Sequence, residues 1–233
     1  MSDPSERIVL ITGAGRGLGA ALAEAFAAAD TQLILIARSS AGLEEVDDRV
    51  RAKGGRATLV PVDLRDGKAI DQLGGALAER HGRVDVLIGN AAELPGLSPV
   101  GHVDPKAFER TMAINAVANY RLIRSLDPLL RAAHAGRAVF VTCAAVREHK
   151  QFWGAYAASK AALEALVLTY AAETRRSKVR VNLVDPGPLR TRLRSRAYPG
   201  EAPEKVPLPE TRVAPFVELA SADCTRHGEL LAG

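Results

Sequence analysis

The sequence predicts an α/β domain, doubly wound, with a parallel sheet of about seven strands and helices on both faces. Three observations carry this expectation. Short, near-continuous apolar runs recur along the 233 residues, and such runs are strands covered on both faces, as in a parallel sheet. Helical patterns separate the runs, which gives the βαβ alternation of right-handed crossovers. The first run ends in a glycine-rich turn that opens at once into a helix.

Each element follows in order. Ile8–Ile11 is the first strand and Gly17–Ala29 the first helix. Leu33–Ile36, Thr58–Val62, Val84–Ile88, Ala138–Thr142 and Val179–Val184 are the next strands, with Glu229–Leu231 as a short last one. Helices are expected over Gly42–Lys53, Lys68–Arg80, Pro105–Ala133 and Ala155–Arg176. Pro105 after Asp104 places proline at the first helical position behind a capping carboxylate. Pro186–Thr211 is the only long irregular stretch, and residues 188–212 read as a substrate lid. With no internal repeat and no linker, residues 1–233 form a single domain.

Composition narrows the function. Aromatic residues are only 4%, so Ala, Leu and Val must build most of the core. The apolar runs are too short to span a bilayer, and the polar N-terminus has no signal-peptide pattern. Cys143 and Cys224 alone make no disulfide framework, which points to a reducing cytoplasm. The formal charge of +4 comes without any nucleic-acid-binding signature. It suits an enzyme that holds a phosphate-rich cofactor, with neither nucleic acid nor membrane as a partner. No metal is called for.

The turn Thr12-Gly13-Ala14-Gly15-Arg16-Gly17-Leu18-Gly19 places glycines 13, 17 and 19 between strand and helix. Glycine lets the backbone approach a pyrophosphate, and the helix N-terminus favours its charge. The spacing is G-x-x-x-G-x-G and not G-x-G-x-x-G; set between a strand and an Ala-rich helix it points to nucleotide binding in a Rossmann-type domain more than to an ordinary tight turn. A carboxylate at the end of the second strand would mark NAD(H). The chain has Ala37-Arg38 there, and Arg16 lies in the turn. Two guanidiniums suit a 2′-phosphate, so NADP(H) is expected over NAD(H).

Tyr156 and Lys160, four residues apart on a helical run, share one face. A phenol, with an ordinary pKa of about 10, becomes a better acid–base group beside a fixed positive charge. The pair suits proton transfer in carbonyl–alcohol chemistry.

Together these residues resemble the short-chain dehydrogenase/reductase family, from about residue 7 to 191 and in the order of its motifs. Thr12–Gly19 is similar to its cofactor turn, and Asp63 with Leu64 to its adenine-contacting pair. Asn90 and Ala91 keep half of its Asn-Asn-Ala-Gly segment. Asn115, Tyr156 and Lys160 match its catalytic asparagine, tyrosine and lysine. Pro186, Gly187 and Thr191 match its nicotinamide segment. The resemblance implies an NADP(H)-dependent oxidoreductase that transfers a hydride between nicotinamide and a carbonyl or alcohol. Tyr156 would move the proton, Lys160 would lower its pKa and bind the nicotinamide ribose, and Asn115 would hold a proton-feeding water.

One position departs from the family. Its serine, thirteen residues before the tyrosine, is Cys143 here, with Thr142 beside it. A thiol is a weaker and larger donor. Cys143 reads as a substrate contact, a redox-sensitive thiol, or inert packing in a weakened cofactor-binding protein. Thr142 could replace it only through a bulge or a register slip.

Residues 147–153 and 189–196 should flank the substrate. Trp153 is either a pocket wall or packing, and His149 is either a second acid–base group or solvated. Arg190, Arg192, Arg194 and Arg196 would divide between two faces of a helix, or align on a strand. The substrate is a small carbonyl or alcohol compound. The helix after Tyr156 is apolar on several sides, as expected of a buried helix. In the resembling family this helix and the Asn115 helix pair across an interface, which implies a homo-oligomer, dimer or tetramer.

Overall fold

A computed structural model describes residues 6–232; residues 1–5 and 233 of the expected domain lie outside the described ones. The elements run β1 (Arg7–Thr12), α1 (Gly17–Ala25), β2 (Thr31–Ala37), α2 (Ser40–Ala52), β3 (Arg56–Pro61), α3 (Gly67–His81) and β4 (Val86–Gly89). Then come α4 (Pro105–Met112), a π-helical turn (Ala113–Val117), α5 (Ala118–Ala132), β5 (Arg137–Val141), α6 (Ala145–Glu148), α7 (Gly154–Thr174) and β6 (Arg180–Asp185). The chain closes with α8 (Arg192–Ala197), α9 (Ala214–Ala220) and β7 (Leu230–Ala232). All seven strands are parallel, in the order β3-β2-β1-β4-β5-β6-β7.

The two-residue period of a strand divides β1 between two cores. Ile8 and Leu10 join side chains of α3, α5 and α7 on one face. Val9 and Ile11 join α1, α2 and α9 on the other. Both faces are therefore dry, which is why the strands read as continuous apolar runs.

Polar side chains start the helices. Ser39 accepts from the Gly42 N–H, Asp66 from Lys68 and Ala69, and Asp104 from Ala107. Each supplies a partner for an amide that the helix itself leaves unpaired.

Three expectations change. The first helix ends at Ala25 and not at Ala29, with Phe26 closing its last turn. The long helix over 105–133 contains a π-helical turn at Ala113–Val117. The stretch Pro186–Thr211 is not irregular throughout: it holds α8 and two 3₁₀ turns, Pro203–Lys205 and Pro209–Arg212. Among the described residues, no helix is long and apolar enough to cross a membrane.

Candidate active site

β1 and β4 are neighbours in the sheet although two strands separate them in sequence. Connections leave this point in opposite directions, so a crevice opens at the carboxyl ends of these strands. Thr12 and Asn90 fix its floor. The Thr12 hydroxyl donates to the Ile88 carbonyl (3.3 Å) and accepts from the Asn90 and Ala91 N–H groups (3.0 Å each). Asn90 Nδ2 donates back to the Thr12 carbonyl at 2.8 Å.

The glycine turn rises from that floor. Gly13 has φ +67°, and a Cβ there would lie 2.9 Å from Ala91 Cα. A Cβ on Gly19 would come within 2.2 Å of the Gly13 carbonyl oxygen. The first position needs a left-handed backbone and the second needs close approach, so each requires glycine. The Leu18 side chain is buried in the core, which leaves only its backbone for a ligand. Arg16 occupies the N-cap of α1, and no side chain caps that helix. Its first amides are free for an anion, unlike those of α2, α3 and α4.

Ala37 ends β2 beside the turn, 3.3 Å from where a Cβ on Gly15 would lie. Arg38 follows and is exposed, as is Arg16. Asp63 follows β3, but its carboxylate is engaged by the Arg65 guanidinium and N–H. That bonding, by Arg65 first, holds the Asp63 carboxyl below its ordinary pKa. Leu64 packs its side chain into the core. These groups fit an extended dinucleotide: glycines for its backbone approach, uncapped amides for its pyrophosphate, and guanidiniums for a further phosphate.

The proposed acid–base residues gather at the ends of β5 and β6. Tyr156 and Lys160 lie on α7, both buried. Lys160 Nζ donates to the Val141 carbonyl at 2.8 Å, its one protein hydrogen bond among the described residues. An ammonium has three donors, so two remain for ligand hydroxyls. The ammonium is 5.8 Å from the Tyr156 ring centre. Burial pushes the Lys160 ammonium down to about 8. Burial also raises the Tyr156 phenol well above its ordinary value, helped by Cys143 and Asp185. The sequence expectation was a phenol lowered by its lysine. In this structure burial dominates, and the lysine donates to the Val141 carbonyl.

Cys143 sits where expected, packed against the apolar cluster that contains Tyr156. Burial, the largest effect, raises its thiol pKa. A raised thiol stays protonated near neutral pH, against the redox-sensitive reading. Thr142 does not replace it: its hydroxyl donates to Glu164 Oε1 at 2.5 Å.

Asn115 lies in the π-helical turn and is fully buried. Such widened turns recur at functional sites. Its Nδ2 donates to the Glu93 carbonyl and to Ser159 Oγ, both at 2.9 Å, and its Oδ1 accepts from the Glu93 N–H at 2.8 Å. Ser159 Oγ in turn donates to the Tyr156 carbonyl at 2.7 Å. Both amide donors of Asn115 are therefore spent on the protein. A proton-carrying water would have to donate to an acceptor lone pair of this residue.

Pro186 is buried after β6, and Gly187 N–H donates to Asp185 Oδ1 at 3.0 Å. Thr191 caps α8 by accepting from the Arg194 N–H. Trp153 meets Tyr156 edge-on, 5.7 Å between centres, and lies 6.0 Å from Tyr198. These rings form an apolar cluster with Leu94, Ala145 and Ala197. Trp153 therefore lines the phenol's surroundings. His149 is exposed at the end of α6.

The sequence reading missed an ion network below this corner. Arg147 donates to Glu164 Oε1 and to Asp185 Oδ2, each at 3.0 Å. It ties α6, α7 and the end of β6 together. Glu164 shares a helix face with Lys160, the one signal available in the sequence. The Arg147–Asp185 pairing is long-range and carries no sequence signature.

Comparison with known proteins agrees with this architecture. The uncharacterised oxidoreductase YciK of Escherichia coli K12 is 31% identical over 225 residues, 95% of this chain and 89% of the relative. The structure of a short chain dehydrogenase from Pseudomonas syringae superposes with a TM-score of 0.93 at 32% identity, covering 100% of this chain and 97% of the other. A short chain dehydrogenase from Escherichia coli CFT073, complexed with NADPH, superposes with a TM-score of 0.91 at 30% identity, covering 98% and 96%. The family model for short chain dehydrogenase matches residues 7–202. The chain belongs to the short-chain dehydrogenase family of oxidoreductases.

Proposed function

We propose that this protein is an NADP(H)-dependent oxidoreductase acting on a small carbonyl or alcohol, with Tyr156, Lys160, Asn115 and Cys143 as its working residues. The observation that carries this reading is the buried Tyr156–Lys160 pair beside the crevice at the carboxyl edge of the sheet. A nicotinamide cofactor supplies the hydride when bound.

The chain's own groups supply protons and position. A phenol held neutral by burial is a proton donor to a developing alkoxide. Lys160, at about 8, exchanges protons near neutrality and can restore the phenol. Its two spare donors suit ribose hydroxyls. Asn115 holds α7 to the loop after β4 through Ser159 and Glu93. Cys143 borders the substrate oxygen.

Arg16 and Arg38, with no carboxylate at the end of β2, support a 2′-phosphate and hence NADP(H). The NADPH complex of the E. coli CFT073 protein supports the same choice. Thr12, Gly13, Gly17, Leu18, Gly19, Ala37, Asp63, Leu64, Asn90, Ala91, Pro186, Gly187 and Thr191 would complete the cofactor site. Residues 188–212 act as the substrate lid of one catalytic domain. Two free cysteines suit a cytoplasmic setting.

Tyr156→Phe tests the assignment. Turnover of a reducible ketone is expected to fall by about 10²–10⁴-fold, the usual share of a general acid, with NADPH affinity largely kept. Turnover equal to wild type would remove Tyr156 as the donor. A second reading, a cofactor-binding sensor or interaction protein, is favoured by one observation: a half-buried thiol packs against the phenol's cluster where the family has serine. NADPH binding with silence across ketones, aldehydes and acyl-thioester ketones would favour it.

A further inference from the structure

The four lid arginines do two different jobs. Arg194 is spent within the protein: its guanidinium grips Glu201 through two bonds of 2.7 and 2.6 Å and lies 3.7 Å from the centre of the Tyr198 ring. Arg190 is also engaged, its N–H donating to the Pro207 carbonyl and its Nε to that of Val206. Arg192 and Arg196, one helical turn apart, are exposed, and neither guanidinium has a hydrogen bond or ion pair among the described residues. Arg16 and Arg38 are in the same condition.

The charges of Arg38, Arg192 and Arg196 all act on Arg16. Leu189 packs in the core cluster that holds Ala14 and Leu18 of the glycine turn. A Cβ on Gly17 would lie only 3.2 Å from Thr191 Cγ2, so α8 begins against that turn. The Arg16 guanidinium is pushed below its ordinary pKa by burial first, then by the charges of Arg192, Arg38 and Arg196. The nearby carboxylate, Asp63, is bonded to Arg65. Four like charges gathered this way repel unless an anion joins them.

We propose that Arg192 and Arg196 complete, with Arg16 and Arg38, one four-guanidinium site for a phosphate monoester, the 2′-phosphate of the cofactor, so that the lid helix itself grips NADP(H). The inference rests on the NADP(H) reading above and extends it to two residues of the lid. A phosphate monoester carries nearly two charges at neutral pH and three strong acceptor oxygens, which suits several guanidinium forks. The same helix turns Leu193, Ala197 and Tyr198 toward the Trp153–Tyr156 cluster. Loading the phosphate on one face of α8 therefore sets the wall over the catalytic phenol on the other.

Calorimetry on the full chain tests this, with NADPH and NADH titrated into wild type, Arg38→Gln, and the Arg192→Gln/Arg196→Gln double variant. Both variants remove exposed charges, and circular dichroism checks that they fold. The double variant is expected to bind NADPH about tenfold or more weakly, the scale of one lost charge-assisted bond, and NADH nearly as wild type does. Hydrogen exchange in α8 should slow with NADPH in wild type and not in the double variant. Unchanged NADPH affinity, or an equal loss for both coenzymes, would overturn the proposal while Arg38→Gln still discriminates. An altered KM for an anionic substrate with unchanged NADPH affinity would assign these cations to the substrate and overturn it as well. If wild type binds the two coenzymes equally and Arg38→Gln changes nothing, the NADP(H) reading itself fails, and this inference falls with it.

Discussion

Lys160 places a basic group inside the core. It is buried at 1% exposure, with a single carbonyl as its hydrogen-bond partner among the described residues. A buried charge is costly unless paired, and the ammonium responds by shifting from 10.5 to about 8. The sign follows from linkage. Between about pH 8 and 10.5 the unfolded chain holds this proton and the folded chain does not, so stability rises with pH in that window. Below pH 8 the full penalty applies. Lys160→Met should therefore stabilise the fold at pH 7 by about 1–3 kcal/mol, on the scale of 1.36 kcal/mol per pKa unit. Its advantage should shrink as pH climbs from 8 to 10, while turnover is lost. Urea melts at pH 7, 8.5 and 10 check this; a gap that stays constant across the three would exclude Lys160 as its source. Such a stability cost is what the proposed catalytic role of Lys160 would require.

At the scale of elements, the π-helical turn matters because it seats Asn115 between the loop after β4 and α7. The turn leads directly into α5, which packs on α3. Two adjacent glycines in α3 show how close this packing is. A Cβ on Gly74 would lie 2.0 Å from Ser125 Oγ on α5, whereas Gly75 has nothing within 4 Å. Gly75→Ala should stabilise by about 0.5–1 kcal/mol by restricting the unfolded chain. Gly74→Ala should destabilise by about 1–3 kcal/mol through overpacking. Chemical denaturation of both variants checks the pair, and equal effects would contradict the described α3–α5 contact. The sequence shows Gly-Gly and cannot distinguish the two positions, since the difference lies in a neighbour fifty residues away.

The whole molecule leaves apolar surface uncovered. α7 reads in the sequence as apolar on several sides. Leu163 and Val167 are fully buried, but Leu166 and Leu168 are 36% and 41% exposed. Val117 and Tyr120, on the helix that carries Asn115, are 46% and 48% exposed. Exposed apolar side chains on the two helices that pair in the resembling family support a homo-oligomer. Light scattering is expected to give at least twice the chain mass. Val117→Glu with Leu168→Glu should reduce it to one chain; a single-chain mass for wild type would rule out the interface.

Much of this protein is written in local pattern. Strand runs, helix periods, the capping residue Asp104, the glycine turn and the Tyr156–Lys160 spacing depend on neighbours within a few residues. Each is therefore legible in order along the chain. Tertiary structure decided what local pattern cannot encode. It set the phenol pKa by burial, committed Thr142 to Glu164, joined Arg147 to Asp185, and brought Arg192 and Arg196 beside Arg16. Each of these depends on distance through space between residues far apart in sequence, and on how much water the fold leaves around them. Local sequence fixes neither quantity.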